Sequence, residues 1–325
     1  MRFYSIIIPV YNRPGEIAEL LQSLTSQTLK NFEVIIVEDG STITCKSEVD
    51  SFAEKLDIRY FFKENTGQGF SRNFGFAKAK ADYFIVFDSD CILPETYLES
   101  VEENLAKKQF DAFGGPDRAK QSFTIIQKAI NYSMTSIFTT GGVRGNKKHA
   151  GTYHPRSFNM GISREVFEKT GGYVITRMGE DIEFSIRIIN TGFRVGLIEE
   201  AFVFHKRRTS LGQFYKQLHF FGRARINISR FYANELKLVH LFPLFFLVGW
   251  LALAVAWIIS KPLFLIGLGI AAIYYGLIFM DSTIKNRSLP VGVLSIVTAT
   301  VQLSAYAIGM IAEYFKRSQR TLPAQ

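Results

Sequence analysis

Near the C-terminus three apolar stretches, Leu241 to Ser260, Leu263 to Met280 and Val291 to Ala312, each come close to the length that crosses a bilayer, about 20 residues. A backbone in hydrocarbon must satisfy its own polar groups, so segments of this length are restricted to helices. The first two are uninterrupted. Thr298, Thr300, Gln302 and Ser304 break the third, which therefore either packs against its neighbours or lies partly re-entrant. Three full crossings from a cytoplasmic start would leave Lys316, Arg317 and Arg320 outside, against the tendency of Lys and Arg to stay inside. Either the third segment does not cross fully, or a hairpin dips without spanning.

The 325 residues carry a net charge of +9, unevenly spread: +7 over residues 201–240, +4 over 241–325 and −2 over the first 200. A basic excess beside an apolar tail suits membrane lipids with anionic headgroups. Nucleic-acid binding would need basic side chains interleaved with exposed aromatics on the folded part, which is mildly acidic here, so no nucleic-acid partner is expected. Cys45 and Cys91 form no CxxC pair and imply no disulfide framework, which fits a reducing compartment. The run Ile6 to Ile8 stops at Pro9 with no small-residue cleavage site after it, unlike a signal peptide, so the first two hundred residues are expected in the cytoplasm.

Three domains are expected: 1–205, a membrane-proximal segment 206–238, and the helical region 239–325. In the middle one Leu211, Phe214, Tyr215, Leu218 and Phe221 recur at helical spacing opposite Lys216, Arg223 and Arg225. That pattern suits a basic amphipathic helix at a membrane interface or one packed on the preceding domain.

In the first domain Tyr4 to Val10, Phe32 to Val37, Ile58 to Phe62 and Tyr83 to Phe87 read as buried strands. Helices are expected from about Glu16 and over Gly69 to Ala79. Further strands are expected at Phe110 to Phe113, Phe158 to Ile162, Val195 to Ile198 and Phe202 to Phe204, with helices around Thr124 to Ile137, from Arg164 and from Glu180. Alternation of this length predicts an α/β fold with a doubly wound, parallel sheet. Residues 139–157 lack periodicity and are rich in Gly and basic side chains, so Arg144, Lys147 and Lys148 could belong to a lid over phosphates or to a disordered loop.

Loops after successive parallel strands emerge at one sheet edge, where such folds bind ligands. Asp88 and Asp90 stand there after an apolar strand, as hard oxygen ligands for a divalent cation bridging two phosphates. Pro9, Tyr11 and Asn12 follow the first strand, where an aromatic ring could border a base. Asp39 follows the second and could accept a hydrogen bond from a base or ribose, or simply form a turn with Gly40 and Ser41. Arg72 and Asn73 sit near a helix start, where donors suit phosphate or sugar oxygens. Glu180 and Asp181 open another helix: one carboxylate can cap it while its neighbour faces the cleft, or the pair can form a capping box with Glu183.

Six segments in order resemble the inverting glycosyltransferases of family 2, of GT-A fold: Ile7 to Asn12, Val37 to Ser41, Ser71 to Gly75, Phe87 to Cys91, Asn159 to Phe167 with Gly171 to Tyr173, and Gly179 to Glu183. The resemblance covers about residues 3–225. It implies a mostly parallel doubly wound sheet and a nucleotide-diphosphate sugar donor, UDP or GDP type. It further implies that Asp39 contacts the base and Asp88 the ribose region, that Asp90 ligates Mg2+ or Mn2+ on the diphosphate with Asp88 and His205 beside it, and that Asp181 is the general base. Glu38 stands where the family has an acid one carbon shorter, and the Gln-x-x-Arg-Trp motif of processive synthases is missing, so single-sugar transfer is expected. The membrane tail suggests a lipid-linked or glycan acceptor in cell-surface polysaccharide or glycolipid synthesis. A non-catalytic nucleotide-sugar sensor or scaffold is the alternative. A nucleotidyltransferase would carry a Gly-rich loop after the first strand, and Tyr11 to Pro14 is not one.

Overall fold

The structure, a computed structural model, describes residues 1–118, 123–141 and 153–316. Contacts divide these into two units: 1–118 with 153–206, and 123–141 with 207–316. In the first, the chain order is β1 Tyr4–Val10, α1 Pro14–Thr25, β2 Phe32–Asp39, α2 Lys46–Asp50, β3 Ile58–Lys63, α3 Gln68–Lys78, β4 Tyr83–Phe87, β5 Cys91–Ile92, α4 Tyr97–Lys108, β6 Ala112–Gly114 and β7 Asp117–Arg118. After α5 Ile125–Thr135 and α6 Ile137–Thr140, which belong to the second unit, come β8 Asn159–Ser163, α7 Arg164–Thr170, α8 Glu180–Asn190, β9 Val195–Leu197 and β10 Val203–His205.

The main sheet has seven strands in the order β3-β2-β1-β4-β8-β6-β9. The first four run parallel, with Tyr4 opposite Phe32 and Tyr83, but β8 is antiparallel to both β4 and β6. The sheet is therefore mostly, not wholly, parallel. Period-two alternation sends Ile6, Ile8, Val34, Ile36 and Ile85 to one core with Leu20, Leu21, Leu98 and Val101, and sends Ile7, Ile35, Val37, Phe84 and Val86 to the other with Phe76, Val166 and Phe184. Burying each such side chain contributes about 1.5–3 kcal/mol. Gly75 permits α3 to lie close on the sheet, since a Cβ there would strike the Ile7 side chain. That closeness brings Arg72, three residues earlier, to the sheet edge.

A second sheet, β5-β10-β7, sits beside the first; its register sets His205 opposite Cys91 and so next to Asp90. Sequence patterning offered no sign of β5 or β7, each two residues long.

The second unit comprises α5, α6, α9 Leu211–Phe231, α10 Phe242–Ile259, α11 Lys261–Asn286 and α12 Leu289–Tyr314. Thr124 caps α5 through a capping box with Gln127, and Ser136 ends α5 and caps α6. Three helical stretches, Leu238–Ile259, Lys261–Asn286 and Leu289–Tyr314, are long and apolar enough to cross a membrane. Phe214 and Leu218 of α9 pack with Ala305 of α12, a partner that neither expectation for the membrane-proximal segment named. The proposed lid residues Arg144, Lys147 and Lys148 lie outside the described residues.

Candidate active site

The parallel strands deliver four loops to one edge. After β1, Tyr11 is 52% exposed, its ring free to stack. Pro9 lies within β1, opposite Val37, and its ring is part of the strand. Asn12 adopts a left-handed φ of 54° and its side-chain oxygen accepts from Thr42 N (2.8 Å) and Ile43 N (3.0 Å). Asn12 thus ties two loops together. Arg13, which sequence reasoning did not single out, donates from Nη1 to Asp90 Oδ2 at 2.7 Å.

After β2, Asp39 is buried and pairs with Lys63; it also accepts from Thr66 N (3.0 Å) and Gly67 N (2.9 Å). Burial opposes its charge, but these donors, Lys63 first, outweigh that and hold its carboxyl below the ordinary range. An ionised carboxylate offers about four acceptor sites, and Lys63, the Thr66 and Gly67 amides and Ser71 together engage it, so this carboxylate anchors the loop that follows β3. Glu38, fully buried, accepts from Cys45 N at 2.9 Å and from Ser41, fixing the following loop.

Arg72 in α3 is 1% exposed, donates from Nη2 to Asp88 Oδ1 at 2.8 Å and stands 3.5 Å from Glu180 Oε1. Its Nε and Nη1 make no hydrogen bond. Burial alone would weaken its charge, yet Tyr173, Asp88 and Glu180 hold its proton more tightly than usual. An engaged guanidinium here would be scaffolding; one with buried donors left over is prepared for an anion or a sugar oxygen. Its neighbour Asn73 bonds both ways to the Tyr173 backbone, at 2.8 Å each, and so holds the Gly172–Tyr173 turn.

Glu180 and Asp181 occupy the first turn of α8, which is capped by Gly179 at φ 97° and by no side chain. Glu183 is fully buried against Arg187, which removes the capping-box reading. Glu180 is buried, accepts from Gln68, and is raised above the ordinary carboxyl range by burial and then by the charge of Asp181. Asp181 is 22% exposed, with Arg156 Nη1 at 3.3 Å. Lys63, Gln68 and Arg156 also escaped sequence reasoning, because no motif marks a residue whose part is to hold a carboxylate from another loop.

Asp90 Oδ1 lies 3.0 Å from His205 Nε2. Burial disfavours the Asp90 charge, but His205 and Arg13 reverse this and keep it well below the usual range; His205, for its part, is raised by Asp90 against the effect of its own burial. Asp90, Cys91 and His205 bring ligand atoms within 4.8 Å of one another. Burial and the charges of Asp88 and Asp90 push the Cys91 thiol up, and its Sγ donates to Phe158 O at 3.4 Å, which leaves Asp90 and His205 as the candidate ligands. The oxygen and imidazole donors that remain fit a hard or borderline divalent cation such as Mn2+ or Mg2+.

Residues 5–171, just over half the chain, match the family model described as Glycosyl transferase family 2. An uncharacterized glycosyltransferase of Rickettsia felis is 43% identical over 105 residues, 31% of this chain and 17% of that protein. One of Haemophilus influenzae is 30% identical over 219 residues, 64% of this chain and 70% of its own length. Among solved structures, the mannosyltransferase PcManGT of Pyrobaculum calidifontis, in complex with GDP-Man and Mn2+, superposes with a TM-score of 0.71 at 17% identity. It covers 98% of this chain and 88% of its own. S. aureus TarS 1-349 with UDP-GlcNAc gives 0.50 at 20% identity, over 69% of this chain and 67% of that one. With its mostly parallel GT-A sheet and this family match, the chain belongs to glycosyl transferase family 2 and is a glycosyltransferase.

Proposed function

We propose that this enzyme moves one sugar, with inversion, from a UDP- or GDP-type sugar to a lipid-linked or glycan acceptor at the cytoplasmic face of a membrane. The observation that carries the proposal is Arg72, buried between Asp88 and Glu180 with Nε making no hydrogen bond and Nη1 held only by the 3.5 Å ion pair to Glu180, beside the carboxylates that could hold a diphosphate and its cation. The complexes of PcManGT with GDP-Man and Mn2+ and of TarS with UDP-GlcNAc support the donor class.

Tyr11 borders the base, Asp39 contacts it, and Asp88 faces the ribose. Asp90 with His205, and Asp88 beside them, would hold Mg2+ or Mn2+; once bound, the cation supplies positive charge against the leaving diphosphate. An acceptor hydroxyl oxygen attacks sugar C1 while the bond from C1 to the diphosphate oxygen breaks, its electron pair leaving with the nucleoside diphosphate. Asp181, exposed enough to be reached, takes the hydroxyl proton. Arg72 meets the charge that grows on the leaving group. A single displacement inverts C1 and needs no covalent intermediate. Both tryptophans lie in α10, and the processive motif is missing, so one sugar is transferred per acceptor. Three apolar helices favour an acceptor confined to the bilayer, whose effective concentration anchoring would raise. Such a product belongs to cell-surface polysaccharide or glycolipid synthesis.

Thermal unfolding of the full chain with a panel of nucleotide sugars, with and without Mn2+, tests the donor class, since a true ligand stabilises the folded state by mass action. One sugar nucleotide should raise the midpoint only with Mn2+ and then release nucleoside diphosphate when acceptor lipids are added. If no sugar nucleotide shifts the midpoint, the proposal fails.

A further inference from the structure

The geometry points to two membrane crossings, not three: α10 and α11 span, while α12 lies along the membrane face with α9 and α5, so that both its ends stay on the side where α9 begins. This inference rests on the proposed membrane attachment and deepens it.

The three apolar helices differ in what covers them. Only 6% of the spanning windows of α10 and α11 is buried by protein, against 50% for α12. α10 and α11 therefore present apolar side chains nearly all round, which only lipid hydrocarbon can cover. α12 has protein on one side along its length. Along its first half Thr298 Oγ1 bonds Ser133 at 2.7 Å and Ala129 O at 3.1 Å, both in α5, and Ser295 meets Ser282 of α11 at 2.7 Å. Along its second half α9 lies in near-backbone contact: a Cβ on Gly222 would strike the Tyr306 carbonyl oxygen, and one on Gly309 would strike that of His219. At the far end Glu313, 2% exposed, pairs with Arg223 Nε at 2.9 Å and Arg230 Nη1 at 3.3 Å, and Arg230 also donates to Lys316 O at 2.8 Å.

Of the helices that cover α12, α11 spans, but α5 and α9 cannot. α5 has 11 residues, about half the length required. α9 carries Lys216, Arg223, Arg225 and Arg230, each costing about 2.5–3.5 kcal/mol at a bilayer centre. The end of α12, held by Arg223 and Arg230, must stay where α9 stays. The start of α12 is fixed by counting: the chain leaves α9, enters the bilayer at α10 and returns with α11, ending on the α9 side at Asn286. With both ends on one side, α12 does not cross. Charge agrees, because Lys237, Lys285, Arg287 and Lys316 then share that side and Lys261 alone marks the other.

Cysteine labelling of the full chain in sealed, oriented membrane vesicles tests this. Lys216→Cys, Ser260→Cys and Phe315→Cys are made singly and treated with a membrane-impermeant maleimide before and after permeabilisation. The wild type serves as the blank, because Cys45 and Cys91 are buried. Positions 216 and 315 should label from the same side and 260 from the opposite one. If 260 and 315 share a side opposite 216, α12 crosses and the inference is overturned while the hairpin stands. If all three label from one side, the hairpin does not span and the inference is overturned, while release of the chain into the wash would overturn the membrane attachment on which it rests.

Discussion

The two ends of α8 each meet a buried arginine, and the two arginines are used in opposite ways. At the C-terminal half Arg187, 7% exposed, is fully engaged: Nε and Nη2 grip Glu183 at 2.6 and 3.0 Å, Nη1 donates to Thr170 O at 2.5 Å, and Nη2 also reaches Gly172 O. At the N-terminal turn Arg72 meets Glu180 with one hydrogen bond, to Asp88, and two donors over. Saturation separates the two: Arg187 holds the fold, whereas Arg72 keeps donors that the proposed ligand would take. Composition and burial do not, since both are Arg in an apolar layer.

The largest effect expected from breaking this contrast is on stability at the saturated end. Arg187→Gln leaves Glu183 buried without its partner and should cost about 3–5 kcal/mol, read as a fall in unfolding midpoint, with donor affinity unchanged in the fraction that folds. Arg72→Gln should reverse the pattern, weakening sugar-nucleotide binding about 10- to 100-fold, the worth of one charge-assisted hydrogen bond to phosphate, for a smaller loss of stability. Calorimetry on both variants checks the pair; equal losses of affinity would dissolve the distinction.

Asp39 supplies the pH dependence. Its carboxyl is held below the ordinary value of 3.8, so its contribution to stability is complete above that value and disappears as pH falls through the lower folded value. Stability followed from pH 6 to about 3 should decline less steeply in Asp39→Asn than in wild type. An unchanged slope would mean that Lys63 and the Thr66 and Gly67 amides do not hold the charge. The smallest effect is expected at Tyr11, whose exposed ring adds stacking only: Tyr11→Ala should weaken donor binding several-fold, about 1 kcal/mol, with no change in unfolding midpoint.

Legibility in the sequence followed range. Apolar runs and turn residues are local, so β1 to β4, α1 and α3 could be read directly, and with them the edge that gathers Asp39, Asp88 and Asp90. The antiparallel run of β8 could not, because strand direction depends on how the chain returns after β7. For the same reason the sequence identified Arg72 and Asp88 as candidates but not their pairing, and missed Arg13 on Asp90 and Lys63 on Asp39, which are contacts between loops. Nor could the sequence show that Asn12 and Asn73 brace the loops. Their side-chain amides find backbone groups 30 to 100 residues away that no local pattern reveals.

Asp181 as proton acceptor is the central claim, and Asp181→Asn tests it most directly. Nucleoside diphosphate release and sugar-nucleotide affinity are to be measured on the same preparation with Mn2+. Release should fall at least about 100-fold while affinity stays within about three-fold of wild type, as expected when a group acts only in the transition state. Undiminished release with intact binding would contradict the account and remove Asp181 from the mechanism.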